Sequence, residues 1–222
     1  MTKPRLLDLF CGAGGAAMGY HRAGFEVVGV DLDPQPHYPF EFHQADALTF
    51  PLEGFDAIHA SPPCQAYSFA SQTHRAAGKE YPDLVARTRR RLEASGVPWV
   101  IENVPGAPVR RDIELCGCMV GLPQLRRVRW FEANWGAYDL TPPHCHTEVA
   151  VSVAGHSDPS WVRQMLSRRG LPRHTASDAR RAMGIDWMNR AELSQAIPPA
   201  YTEWIGKRLL RVVVDETPTE GA

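Results

Sequence analysis

The stretch that most narrows the fold is the first thirty residues. Arg5-Leu6-Leu7-Asp8-Leu9-Phe10 is a short, mostly apolar run that breaks into Cys11-Gly12-Ala13-Gly14-Gly15. Residues 16–23 can form a helix, and residues 25–30 are a second apolar run. Strand, glycine turn, helix and strand in that order open a Rossmann-like unit, so an α/β fold with a mostly parallel sheet is expected. The glycines let a ligand approach the backbone closely and leave the helix N–H groups facing it. A glycine turn alone also serves a merely structural bend.

Asp31 ends the second strand 16 residues beyond Gly15, near the roughly 20-residue spacing at which an acid meets ribose hydroxyls. A third, shorter strand at residues 41–45 ends at Asp46, which lies on the same sheet edge. Two such acids suit a ligand with ribose hydroxyls and an exocyclic amine better than an anionic dinucleotide. That favours S-adenosylmethionine over NAD.

Residues 55–60 read as a buried strand, stopped by Ser61-Pro62-Pro63-Cys64-Gln65. Two prolines can neither continue a sheet nor enter a helix interior. Cys64 is thus carried on a stiff loop at a strand's carboxyl end, where open α/β sheets place ligands; a small packed thiol is the bland alternative. Residues 66–79 form a polar loop suited to a lid. Residues 83–94 read as a helix with Leu84, Val85, Thr88 and Leu92 on one face and solvated arginines opposite. The next strand, residues 97–101, delivers Glu102 to the edge that holds Cys64 if the strands are parallel. A thiol and a carboxyl converging beside an adenosine site form an active-site constellation.

The bulk properties fit this picture. The chain has 222 residues, 44% hydrophobic and 22% charged, which suits one domain with a full core. No apolar run approaches the roughly 20 residues of a bilayer span, and five cysteines, an odd count, argue against a secreted disulfide framework. A soluble cytoplasmic protein, monomeric and without membrane contact, is expected. The net charge of −1 does not advertise a nucleic-acid binder, yet between residues 159 and 181 six arginines accompany one acid, Asp178. Clustered arginine neutralises phosphate locally, or is simply a solvated face.

Asp8-Leu-Phe-Cys-Gly-Ala-Gly-Gly15, Pro62-Pro-Cys-Gln65 and Glu102-Asn-Val104 resemble, in order, the cofactor, nucleophile and Glu-Asn-Val motifs of DNA (cytosine-5) methyltransferases. Arg127-Val128-Arg129 resembles the family's paired-arginine motif, and residues 196–206 resemble its closing motif. Two departures stand out: Gln124 lies one residue too far from Arg127 and Arg129, with Arg126 fitting it by spacing, and Ser194-Gln195 replaces the usual Gly-Asn. The resemblance implies a Rossmann-like S-adenosylmethionine-dependent methyltransferase with a small recognition insert. It implies Cys64 as nucleophile, Glu102 as the acid at ring nitrogen 3, and Arg127 and Arg129 at the base carbonyl and phosphate. Phe10, Gly12, Ala13, Gly14, Gly15, Asp31, Leu32, Asp46, Ala47, Pro63, Gln195, Ala196 and Ile197 are then expected at the cofactor. Pro62, Gln65, Ser68, Asn103 and Val104 are expected at the substrate.

The implied division is a catalytic and cofactor core over 1–134, a reduced target-recognition segment over 135–178, a return to the core over 179–213 and a flexible tail over 214–222. The implied partner is double-stranded DNA with a flipped cytosine, read over a short site of about two to four base pairs, or with a partner protein supplying the missing contacts. RNA (tRNA) methylation is the nearest rival, and a catalytically inactive DNA-binding relative the non-enzyme one. Cys116-Gly-Cys118 and His144-Cys-His146 supply zinc-type ligands at tighter spacing than a finger's. Packed thiols and surface histidines are the expectation there, with no metal ligand assigned.

Overall fold

The computed structural model describes residues 2–136, 141–145, 151, 153, 164, 167–168 and 175–215. Among these, seven strands form one sheet in the order β3-β2-β1-β4-β5-β7-β6. They are β1 Arg5–Leu9, β2 Glu26–Asp31, β3 Glu41–Gln44, β4 Ala57–Ala60, β5 Trp99–Asn103, β6 Ile113–Leu115 and β7 Arg129–Ala133. The helices are α1 Gly15–Ala23, α2 Gln72–Ala76, α3 Val85–Glu93, α4 Ala176–Met183, α5 Arg190–Gln195 and α6 Pro199–Asp215.

β1 to β5 run parallel, with Leu7 opposite Ile58 and Ile58 opposite Trp99. Such strands are covered on both faces, hence their near-continuous apolar sequence. Side chains alternate between the faces. Leu6, Val27, Ala57 and Val100 join the core beneath α1 and α6, whereas Leu7, Val28, Ile58 and Ile101 join the opposite core with Val85 and Leu92 of α3. β7 runs antiparallel to both β5 and β6, so the sheet is mixed at that edge.

α6 packs on α1 at very short range. A Cβ on Gly19 would collide with Thr202 Oγ1 and Pro199 O, and one on Gly206 would lie 2.7 Å from Ala23 Cβ. Thr202 Oγ1 donates to Ala16 O at 2.8 Å. Small residues on both helices are therefore what lets the C-terminal helix return to the first one.

Three sequence readings change. The solvated arginine face of α3 holds only in part: Arg89 Nε and Nη2 donate to the two carboxylate oxygens of fully buried Glu132 at 2.7 and 2.6 Å, and Arg91 donates to Ala47 O and Phe50 O. Arg87 and Arg90 remain exposed. The 66–79 loop contains a short helix, α2, because Arg75 folds back to donate to Gln65 O and Ser68 O at 2.7 Å each. The apolar patterning near the end predicts a helix from Pro199 to about Arg211, and α6 runs on to Asp215. The sequence from Ser157 to Arg169, before the break at Gly170-Leu171-Pro172, predicts a helix; apart from Gln164, Ser167 and Arg168 it lies outside the described residues, as do most of segment 135–178 and residues 216–222.

Arg89→Met should destabilise the fold by about 3 kcal/mol, since it leaves the Glu132 charge buried with only Arg110 beside it. Urea denaturation at neutral pH reads this. A change below about 0.5 kcal/mol, the level of an ordinary surface substitution, would show that the pair is dispensable.

Candidate active site

The parallel strands β1, β2 and β4 end together, and a cavity of about 610 Å³ opens at their carboxyl ends. Its floor is the glycine turn after β1. Phe10 has φ 58°, the one positive-φ non-glycine among the described residues, and Gly12 and Gly14 also take positive φ. A phenylalanine in that region is strained and marks a turn held by its surroundings. Asp31, at the end of β2, accepts from Gly12 N at 2.9 Å and from Asp33 N at 3.1 Å, which fixes the turn to the acid. Leu32 follows with 69% of its surface exposed at the cavity rim. Ala196 and Ile197 close the far wall, and a Cβ on Gly15 would collide with Ile197 O. Asn189 caps α5 in a reciprocal box with Glu192, and so aims Gln195 at the same space.

At the other end of the cavity stand Cys64, Glu102 and Arg129. The parallel pairing of β4 with β5 brings the Cys64 loop and Glu102 to one edge, as the sequence argument required. Glu102 is 5% exposed and its Oε1 lies 2.9 Å from Arg129 Nε. Burial pushes its pKa up, opposed by Arg129, Arg127 and a hydrogen bond from Ser61. The Cys64 thiol is likewise raised, first by burial and then by the Glu102 charge, with Arg129 and Arg127 opposing. The site thus holds a carboxyl shifted towards its protonated form next to a thiol that needs help to ionise.

Behind Glu102 runs a buried polar chain. Tyr20 Oη meets His59 Nδ1 at 2.9 Å, His59 Nε2 meets Ser61 Oγ at 2.9 Å, and Ser61 reaches Glu102. Burial lowers the His59 pKa to about 3, so the ring is neutral and carries one proton. If that proton is on Nε2, Ser61 receives it and donates to an ionised Glu102. If it is on Nδ1, Ser61 donates to His59 and accepts from a protonated Glu102. The chain therefore accommodates either state of the acid by reversing its hydrogen bonds.

Residues 4–112 match the family model described as C-5 cytosine-specific DNA methylase. The chain is 30% identical over 195 residues to the type II methyltransferase M.XorII of Xanthomonas oryzae pv. oryzae, covering 78% of this chain and 42% of that protein. It is 28% identical over 189 residues to the type II methyltransferase M1.HphI of Haemophilus parahaemolyticus, covering 64% of this chain and 49% of that protein. The chain belongs to the C-5 cytosine-specific DNA methylase family. It spans less than half the length of either curated relative. A solved structure assigned as a DNA modification methyltransferase encoded within an E. coli prophage has the same fold, with TM-score 0.63 and 16% identity over 96% of this chain and all of that one.

Seen as a family member, the chain gathers most of the residues expected at the site. Phe10, Gly12, Ala13, Gly15, Asp31, Leu32, Asp46, Ala47, Pro63, Gln195, Ala196 and Ile197 line the cavity, together with Cys64, Glu102, Arg129, Pro62, Gln65 and Val104. Four expected residues stand off it. Gly14 backs onto Tyr38 and Pro39. Ser68 closes a turn by donating its N–H to Cys64 O at 2.8 Å. Asn103, 1% exposed, donates from Nδ2 to Pro62 O at 2.9 Å and so ties the Glu102 strand to the Cys64 loop. Arg127 donates to Ser194 O at 2.7 Å, facing the closing segment, while Arg126 is exposed.

Sequence reasoning missed Tyr20, His59 and Ser61; a histidine inside an apolar strand was the available signal. It also missed Trp187, whose indole N–H donates to Ala13 O at 2.9 Å, and Asp8 as a wall residue. Asp8 is fully buried, and among the described residues its carboxyl faces only the Ala17 N–H, without full hydrogen-bond geometry. Burial and then the Asp31 charge raise its pKa well above the ordinary carboxylate range. A buried carboxyl with so little polar company suits a ligand that brings a donor or positive charge to the wall.

Proposed function

We propose that this chain transfers a methyl group from S-adenosylmethionine to carbon 5 of cytosine in DNA, through a covalent bond between Cys64 and the base. The observation that carries this reading is the single cavity joining the glycine turn and Asp31 at one end to Cys64, Glu102 and Arg129 at the other. The residues fit the cofactor. Asp31 and Asp46 face it as acceptors for ribose hydroxyls and the exocyclic amine, Leu32 offers an apolar surface to the adenine, and the buried Asp8 carboxyl suits its cationic part. Bound there, S-adenosylmethionine supplies an electrophilic methyl group on a sulfonium.

Carbon 5 of cytosine is a poor nucleophile until the ring is activated. Addition of the Cys64 thiolate to carbon 6 creates an enamine with electron density at carbon 5, splitting one difficult step into easier ones. Glu102 supports that addition by donating a proton to ring nitrogen 3. Arg129 orients Glu102 and favours the neighbouring thiolate. Once carbon 5 carries the methyl group, a water-borne base takes its proton, the carbon 5–carbon 6 double bond re-forms and Cys64 leaves as thiolate. The target base must leave the duplex to reach this depth. Phe69, 85% exposed beside the Cys64 loop, is placed to occupy the vacated stack as an apolar wedge.

Incubation with labelled S-adenosylmethionine and either duplex DNA or tRNA, followed by sequencing of modified positions, tests the reading. Label at carbon 5 of DNA cytosines is expected, and label on tRNA alone would overturn the choice of substrate. Asp31→Ala should weaken cofactor binding by roughly 1–3 kcal/mol, measured by calorimetry in the absence of DNA. Phe69→Ala should raise the KM for duplex DNA and leave that for a substrate mispaired at the target base nearly unchanged. Equal effects on both substrates would remove Phe69 from base extrusion.

A further inference from the structure

We infer that Cys116, Cys118 and His144 form a structural zinc site, away from the cavity and independent of the methyl-transfer reading. Sequence spacing alone made packed thiols and surface histidines the simpler expectation, but the fold brings the three residues together. The two thiols and an imidazole nitrogen all lie within 4.8 Å of one another. Cys118 Sγ stands 3.7 Å from His144 Nδ1. Tetrahedral zinc with Zn–S of about 2.3 Å and Zn–N of about 2.0–2.1 Å separates its ligands by about 3.5–3.8 Å, so this pair is already spaced as one edge of such a site. Two thiolates would balance the ion's charge, and soft sulfur with imidazole selects zinc over calcium or magnesium.

The surroundings are those a bound metal uses. His144 directs Nδ1 at the thiol while its Nε2 lies 3.6 Å from Glu114 Oε1, the carboxylate–histidine arrangement that orients zinc-bound imidazoles. Glu114 is itself held by Trp130 Nε1, which donates to Oε2 at 2.8 Å. The backbone N–H of Cys145 points at Cys118 Sγ at 3.4 Å, a hydrogen bond that favours a thiolate there. The Cys145 thiol donates to Cys118 O at 3.0 Å and lies outside the three-atom cluster, which leaves the fourth place to a water. Both Cys116 and Cys118 are buried, and His144 is partly exposed, so the ion has a route in from solvent. His146 lies outside the described residues.

The ion would act as a staple. Cys116 and Cys118 begin the turn that leads through Leu125, whose carbonyl faces Cys116 Sγ at 3.7 Å, to Arg127 and β7. His144 lies 26 residues further along the chain than Cys118. One bound ion would pin both segments to the back of the strand that carries Arg129.

The test uses the full chain, purified under reducing conditions without chelator. About one zinc per chain is expected by elemental analysis. Zinc removal should lower the melting temperature, and readdition should restore it. Titration of the stripped protein with cobalt(II) should produce tetrahedral ligand-field bands with thiolate charge transfer, and Cys118→Ser should lose them. Because Cys118→Ser risks misfolding, the partly exposed His144→Ala and Glu114→Gln give a second reading. Glu114→Gln should weaken cobalt binding roughly 10–100-fold, and His144→Ala should weaken it further. Absence of a cobalt spectrum in reduced protein, a Cys116–Cys118 disulfide in its place, or wild-type cobalt affinity in His144→Ala would each overturn the inference.

Discussion

Cys64→Ala is expected to reduce methyl transfer by roughly 10⁴–10⁶-fold, the scale on which covalent enzymes lose rate when the nucleophile is removed. Cofactor affinity should stay at the wild-type value, because Cys64 lies at the end of the cavity remote from the Asp31 turn. Wild-type protein, by contrast, should be trapped covalently on DNA carrying 5-fluorocytosine, since fluorine blocks the final elimination. Burial and Glu102 raise the Cys64 thiol above its ordinary value, so the thiolate fraction grows as pH rises through neutrality. The reaction needs an ionised Cys64 together with a protonated Glu102, so the single-turnover rate should follow a bell-shaped pH profile. Substantial turnover by Cys64→Ala would sink the covalent mechanism.

Glu102→Gln should cost about 10²–10⁴-fold in kcat, the range for losing a positioned general acid, with cofactor affinity nearly unchanged. The amide keeps an oxygen for Arg129 Nε, so the 2.9 Å contact and the surrounding packing survive; Glu102→Ala would strand Arg129 and confuse the two effects. A stability signature separates charge from shape. The folded-state pKa of Glu102 is raised, so its carboxyl contributes stability below the ordinary carboxylate range, and this is lost as pH climbs through the folded value. Wild type should therefore lose stability relative to Glu102→Gln over that rise, as urea titrations at several pH values would show. A variant that keeps the wild-type rate while its stability curve shifts as described would assign Glu102 to the fold alone.

The readings that succeeded from sequence were local or periodic. The glycine turn after Leu9, the strand-ending Asp31 and the double proline before Cys64 each impose their geometry through φ/ψ limits and side-chain alternation, which any reader of the chain can apply. The apolar run at residues 55–60 and the one at 97–101 also implied parallel neighbours, and that pairing alone put Cys64 and Glu102 on one edge. What failed depended on partners distant in sequence. Arg89 looked like part of a solvated face until β7 placed buried Glu132 against it, and residues 66–79 looked like a plain polar loop until Arg75 turned to the carbonyls of Gln65 and Ser68. A polar side chain's fate is decided by whether a burial-driven partner reaches it, and periodicity carries no information on that.

The same reason separates the two clusters of chemistry in this protein. For the cavity, residues 4–112 contain nearly everything needed, because consecutive parallel strands deliver successive loops to one sheet edge. For Cys116, Cys118 and His144, spacing argued against a metal, since Cys-x-Cys and His-x-His are tighter than a finger's pairs, and a separation of 26 positions gives no hint that Cys118 and His144 meet. The sequence by itself determined the sheet, its ligand edge and the thiol–carboxyl pair. Only the tertiary structure decided which arginines are bonded inward, how Tyr20, His59 and Ser61 connect to Glu102, and that two neighbouring thiols and a sequence-distant imidazole gather within 4.8 Å, because each requires segments that meet only in three dimensions.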